Sequence, residues 1–379
     1  MRRAVLAAVA LVAALATFAL AASAGAQTSD PRISAAAWYL VGDDGAVLAH
    51  HDADRSRAIA SITKLMTAIV VLEHAKLDDV VRISPEAARI GESTVYLRAG
   101  EELTVAELLR AMLIPSANDA AEALAIHVGN GSADRFVELM NAKARELGLS
   151  DTNFENPHGL DQRGHVSSAR DVTVLARYAL GVPFIRDALS RSSVTLPGGR
   201  TFESTDDLLT SWAPLVAGKT GHTRDAGWSE TAAAQHDGAT VYGAVLGSGS
   251  RASRNDALQE LLTYGLDQYR PVQVIDGARV YATAETGYGQ PDVELVAPRG
   301  VARSIRVRQS LVERVVAPTA LTLPVAKGAS LGRVEVYDGT RLVAASRLVA
   351  AEAVPDAGLW AKGKWYATQT VRNLWGIVT

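Results

Sequence analysis

Ala60-Ser61-Ile62-Thr63-Lys64-Leu65-Met66-Thr67 is the stretch on which the reading of this chain turns. Ile62, Leu65, Met66, Ile69, Val70 and Leu72 recur at helical spacing. The pattern predicts a helix over Ser61 to Ala75, with Ser61 as a suitable N-cap. Residues three apart on a helix share a face, so Lys64 can reach the Ser61 hydroxyl. That hydroxyl is a poor nucleophile until a base takes its proton. A lysine amine serves only when neutral, its pKa lowered by burial or by another cation. Alone, Ser-x-x-Lys is equally an N-cap followed by a solvated lysine.

Two further segments change the weighing: Ser116-Ala117-Asn118 and Lys219-Thr220-Gly221, with separations of 55 and 103 residues along the chain. The first follows Pro115 in a break between two predicted helices. One begins at Thr104, whose capping box is completed by Glu107; the other runs from Asn118 or Asp119 to about His127. Such a break can aim Ser116 and Asn118 into a cleft. Ser116 could relay a proton between the two lysines and a leaving amine. The Asn118 amide can bond both a peptide carbonyl and an amine. The second segment lies before Trp228 as an edge strand would. Lys219 supplies the neighbouring cation, and with Thr220 it can hold a carboxylate. Gly221 allows a substrate backbone to approach closely. The backbone N–H groups of Ser61 and His222 are candidates for an oxyanion hole. Each segment alone reads as a cap, a turn or a surface strand; the three together point to one nucleophilic site.

The composition agrees with that chemistry and excludes others. The 379 residues are 48% apolar and 21% charged, enough for a packed core in two or three domains. A net charge of -3 carries no basic excess for nucleic acid. With no cysteine, disulfides, thiolate metal sites and cysteine nucleophiles are excluded. The histidines show no metal-ligand spacing, so neither a metal nor an organic cofactor is implied.

Outward from the centre, Met1-Arg2-Arg3, an apolar run and Ala22-Ser23-Ala24-Gly25-Ala26 read as a secretory leader over residues 1–26, or as an uncleaved anchor. Ala36 to Ala49 reads as a hairpin around Asp43-Asp44-Gly45. Helices are expected over Asp134 to Leu147, Ser168 to Leu180 and Asn255 to Gly265, with strands over Trp228 to Ala234 and Thr240 to Leu246. The catalytic domain is placed at residues 32–270. Residues 271–354 carry repeated short strands and predict a small β-sandwich. Residues 359–379 hold Trp360, Trp365 and Trp375 and form an amphipathic pattern suited to a membrane interface, with Trp365 off the apolar arc. Docking of that helix on the protein's own core is the alternative.

The Ala60–Thr67 stretch, Asn118-Asp119-Ala120-Ala121, Phe154–Leu160, Ser167–Asp171 and Gly218-Lys219-Thr220-Gly221-His222-Thr223 with Ala226-Gly227 resemble the serine D-alanyl-D-alanine carboxypeptidases among the low-molecular-weight penicillin-binding proteins. The resemblance implies an α/β catalytic domain of β-lactamase/transpeptidase-like fold, an antiparallel sheet flanked by helices. It implies cell-wall stem peptides as substrate, β-lactams as covalent inhibitors, and an exported enzyme peripheral to the extracytoplasmic face of the membrane. It also implies an arginine that helps bind the substrate's terminal carboxylate. Arg254 is the candidate and Arg251 its rival. One departure shows: the family's Asn-rich stretch reads Ser204-Thr205-Asp206-Asp207-Leu208-Leu209 here, which bears on substrate preference. Three rival functions stay open at this point. A class A β-lactamase would need a dedicated carboxylate, and no Glu-x-x-Leu-Asn stretch lies between Asn118 and Lys219. A D,D-endopeptidase and a non-catalytic β-lactam- or wall-binding protein are the others.

Overall fold

A computed structural model describes residues 11–18, 31–307 and 309–375. The chain divides into two compact units: Ala26–Gln268, and Tyr269–Thr379 together with Met1–Gly25.

The first unit is built on an antiparallel sheet. Its strands are β1 (Ala37–Gly42), β2 (Val47–His51), β3 (Leu215–Thr223), β4 (Gly227–His236) and β5 (Ala239–Ser248), in the order β2-β1-β5-β4-β3. β1 and β2 form the expected hairpin, and Gly45 takes the positive φ (82°) that its turn requires. β3 is an edge strand, open on one side to whatever the site receives. Helices flank the sheet: α1 (Lys64–His74), α2 (Val105–Leu113), α3 (Asn118–Val128), α4 (Ala133–Glu146), α5 (Ala169–Gly181) and α6 (Arg251–Leu266). Their starts follow local chemistry. Thr104 Oγ1 accepts from Glu107 N–H while the Glu107 carboxylate accepts from Thr104 N–H, closing the capping box. Ser132, Ser168 and Ser250 cap α4, α5 and α6, each hydroxyl accepting from the N–H three residues on. The Ser250 cap starts α6 four residues ahead of the Asn255 expected from periodicity.

α1 is the central helix. Its residues from Lys64 to Val71 are all buried, so it is enclosed on every side. The expectation for its first turn is corrected. Ala60–Thr63 is a 3₁₀ turn, and Ser61 does not cap the helix. Ala60 has φ +49°, a left-handed conformation that bends the chain into this turn. Freed from capping, the Ser61 hydroxyl points to Lys64 instead.

The second unit is sheet-rich. Ser330–Asp338 pairs with Leu311–Pro318 and Arg341–Ala350, and Val280–Thr286 with Val293–Val296. A separate ribbon joins Tyr269–Ile275 to Val301–Arg306. Ile275 and Ile305 from the ribbon share one apolar cluster with Leu295, Val334, Val336 and Leu348 from the larger sheet, as in a small sandwich. Leu11–Phe18 pairs antiparallel with Leu311–Pro318, a strand that the sequence reading did not foresee. The remainder of the expected leader lies outside the described residues. A helix spans Leu359–Trp375, and the expectation for residues 376–379 falls outside the described residues. Trp365, the residue off the apolar arc, packs edge-on against Tyr288 with ring centroids 5.4 Å apart. Leu359 and Trp360 stay 89% and 93% exposed. Among the described residues, no helix is long and apolar enough to cross a membrane.

Candidate active site

The three separated segments converge. Lys64 Nζ lies 2.7 Å from Ser61 Oγ, 2.7 Å from Asn118 Oδ1 and 2.7 Å from the His158 carbonyl oxygen. Lys219 Nζ donates to Ser116 Oγ at 3.1 Å and to the Thr220 carbonyl at 3.0 Å. Lys64 is fully buried and Lys219 nearly so.

The partners of Lys64 decide its protonation state. The His158 carbonyl and Asn118 Oδ1 only accept, so each takes one N–H. A neutral amine then has no further N–H to give. Its lone pair is left facing Ser61, whose hydroxyl becomes the donor. No carboxylate takes part in these bonds. Burial, and after it the Lys219 charge, hold Lys64 well below the ordinary lysine range. Burial also brings Lys219 down to about 7, against the opposing pull of Asp206 and Glu230.

Backbone contacts fix this geometry. An added Cβ at Gly221 would lie 2.8 Å from the Ile59 oxygen and 3.2 Å from Ser61 N, so β3 can press on the nucleophile turn only through a glycine. The Phe154–Leu160 stretch closes the other side. Gly159 has φ +92°, and a Cβ there would stand 2.0 Å from the Ala60 oxygen. Thr63 Oγ1 donates to the Ala60 carbonyl (2.8 Å) and meets His165 Nε2 at 2.7 Å. His165 Nδ1 accepts from Glu155 N–H at 3.0 Å. Burial lowers His165 to about 4, and burial with the Lys64 charge lowers His158 to about 3, so both rings are neutral braces at neutral pH.

Ser116 sits at φ +67°, which turns its hydroxyl toward Lys219. Asn118 Nδ2 donates to the Gly91 carbonyl (3.1 Å), and Asp119 accepts from Val95 N–H (3.2 Å) and Leu97 N–H (3.0 Å). The start of α3 thereby holds the 91–97 loop against the site. Thr220 Oγ1 meets Thr205 Oγ1 at 2.6 Å. His222 packs on Trp228, with ring centroids 4.0 Å apart.

Arg254, on α6, is buried against β4. It is 2% exposed, its Nε 2.9 Å from Glu230 Oε2, and its guanidinium lies 6.0 Å from the Trp228 ring. Arg251 is exposed and bonded to Asp207, 2.7 Å from Nε. Of the two, Arg254 is the one whose charge is felt by Lys219. Sequence reasoning missed the His158 carbonyl, the Thr63–His165 brace and Asp119. The Asn156-Pro157-His158-Gly159 segment was visible as a motif, but a backbone carbonyl carries no residue signature. Among the described residues, no group of three or more His, Asp or Glu could hold a metal ion.

The family model for D-alanyl-D-alanine carboxypeptidases matches residues 24–250. The D-alanyl-D-alanine carboxypeptidase DacD of Salmonella typhimurium is 30% identical, covering 88% of this chain and 89% of its own length. DacC of Escherichia coli is 32% identical, covering 91% and 90%. Among solved structures, penicillin binding protein 5 of Haemophilus influenzae superposes with TM-score 0.63 at 27% identity over 87% of this chain and 100% of that one. The Streptomyces K15 DD-transpeptidase does so with TM-score 0.60 at 31% identity over 63% of this chain and 99% of that one.

Proposed function

The chain belongs to the D-alanyl-D-alanine carboxypeptidase family of serine peptidases, and from that premise we propose that Ser61 is the nucleophile that removes the terminal D-Ala from peptidoglycan stem peptides. The observation that carries the assignment is the 2.7 Å contact of Ser61 Oγ with a Lys64 amine whose two N–H groups, when it is neutral, are taken by Asn118 Oδ1 and the His158 carbonyl.

Lys64 takes the Ser61 proton as Oγ attacks the carbonyl of the penultimate D-Ala. The oxyanion is met by the backbone N–H groups of Ser61 and His222. Lys64 returns the proton through Ser116 to the leaving amine, the C–N bond breaks, and free D-Ala departs. Water then attacks the ester, again with Lys64 as base, and Ser61 is restored. Lys219 and Thr220 receive the terminal carboxylate, with the Arg254 charge behind them. Asn118 positions the peptide. A β-lactam follows the acylation half of this path and remains on Ser61.

The test is labelling with a fluorescent penicillin, alongside D-Ala release from a peptide ending in D-Ala-D-Ala. Wild type should do both and Ser61→Ala neither; equal labelling of the two would remove Ser61 from the role. Rapid turnover of penicillin would instead favour a β-lactamase, and labelling without D-Ala release a binding protein.

We extend the proposal to location. The leader over residues 1–26 would export the chain, and the Leu359–Trp375 helix would rest on the extracytoplasmic face of the cell membrane through its exposed Leu359 and Trp360. The packing of Trp365 inward, against Tyr288, supports this orientation.

A further inference from the structure

Asp206 lies in the stretch that departs from the family pattern. Its side chain is 6% exposed, and Glu230 on β4 is 0% exposed. Both converge on the face of β3 at Gly218, next to Lys219. A Cβ at Gly218 would lie 2.8 Å from Asp206 Oδ2 and 3.1 Å from Glu230 Oε1, so the glycine makes room for two carboxyl groups. Each carboxyl lies close enough to the other to perturb its protonation. Asp206 Oδ1 accepts from Leu208 N–H at 2.9 Å. Asp206 Oδ2 and both Glu230 oxygens receive no N–H or O–H. Arg254 Nε stands near Glu230 but directs its N–H to Asn255 Oδ1 at 3.0 Å. Two buried acceptors facing each other without a donor are unfavourable unless a carboxyl proton is the donor.

We propose that Asp206 and Glu230 share one proton in the resting enzyme, so that Lys219 and Arg254 keep one net positive charge for the terminal carboxylate of the substrate. The inference rests on the carboxylate-binding role of Lys219 proposed above. Four charged groups meet here: Asp206 from the 204–207 loop, Lys219 from β3, Glu230 from β4 and Arg254 from α6. Asp207 and Arg251 pair with each other at the exposed rim and cancel in the sum, although Asp207 Oδ2 also lies 3.5 Å from Arg254 Nη2. Were both carboxyls ionised, the four charges would cancel and the pocket would lose its attraction for an anion. With one proton shared, the sum is +1. Burial acts in the required direction on both acids, pushing Glu230 well above the carboxylate range and Asp206 up as well. The pair is thus a positioning device for charge and touches no reacting atom.

Infrared difference spectroscopy of the full-length protein tests the proton directly. Wild type at neutral pH should show the carbonyl stretch of a protonated carboxyl that shifts in D2O. The band should vanish in Asp206→Asn and in Glu230→Gln, and should move on heavy-carbon labelling of glutamate or aspartate carboxyls, which needs no variant to fold. A second readout is the alkaline limb of kcat/KM for a D-Ala-D-Ala peptide. Each single variant keeps the charge of the pair, whereas the double variant removes its remaining negative charge. The limb should therefore move to lower pH mainly at the second substitution, by on the order of one pH unit. Equal steps at the first and second substitutions, or no carboxyl band that answers to either residue, would overturn the shared proton. Penicillin labelling of wild type separates this from the main reading: if it fails, the site assignment falls whatever the band shows.

Discussion

Gly221→Ala tests whether the site depends on contact between β3 and the nucleophile turn. The added methyl would sit 2.8 Å from the Ile59 oxygen, 3.2 Å from Ala60 Cβ and 3.2 Å from Ser61 N. An ordinary C···O contact is roughly 3.4 Å or longer, so strand and turn must part by about half an ångström. None of the obstructing atoms is the end of a flexible side chain; two are backbone and the third is an alanine Cβ. Overpacking of this kind costs about 1–3 kcal/mol, which in a unit of this size lowers Tm by about 2–4 °C per kcal/mol. Catalysis should suffer more. The same displacement moves Ser61 N away from His222 N, the two oxyanion donors proposed above, and a misplacement approaching 1 Å costs up to about 10²-fold. We expect the second-order rate of penicillin acylation to fall about 10- to 10²-fold in a protein that still melts cooperatively. The assay is stopped-time labelling with fluorescent penicillin, beside a thermal melt. An unchanged acylation rate, with or without a lowered Tm, would refute the argument that strand and turn jointly form the oxyanion site.

Three further outcomes are expected. Lys64→Arg should lose acylation by several decades, since a guanidinium does not release its proton at working pH; full activity would remove Lys64 as the base. The pH profile of kcat/KM should be bell-shaped. Lys64 must be neutral, so activity falls as pH drops through its lowered value; Lys219 must be charged, so activity also falls as pH rises past about 7 in the free enzyme. A profile still climbing well into the alkaline range would show that Lys219 need not be charged. Removal of residues 359–379 should release the protein from membrane vesicles without altering D-Ala release from soluble peptides; continued cosedimentation would count against the surface helix.

Residues whose chemistry resides in a side chain at a fixed local spacing were legible in the sequence. The cap at Thr104 is an example, because it depends on a glutamate three positions away. So were Ser61, Lys64, Ser116 and Lys219, which short motifs mark. Long-range and backbone contributions were not. The 3₁₀ turn at Ala60–Thr63 arises because the Phe154–Leu160 stretch and β3 clamp it from two sides, which no local propensity encodes. The short helix Pro183–Leu189 and the hairpin of Ser193–Leu196 with Arg200–Glu203 escaped a reading tuned to longer periodic runs. Arg254 entered as a candidate through the family resemblance, but its deep burial beside Glu230 could be seen only once α6 was laid on the sheet.

The proposed chemistry asks two lysines in one dry pocket to hold opposite protonation states. Burial alone cannot arrange this, because it lowers both. The difference lies in what stands behind each. Lys64 is met by neutral acceptors, the Asn118 amide oxygen and a backbone carbonyl, which suit a neutral amine as well as a charged one. Lys219 has the Asp206 and Glu230 carboxyls at its back, which raise its affinity for a proton against the effect of burial. Lys64 therefore releases its proton first, and the remaining Lys219 charge then holds it neutral. An arriving carboxylate strengthens that order: it adds negative charge beside Lys219 and makes its proton harder to lose. Binding of the correct substrate end thus fixes the cation in place without requiring any movement of the base.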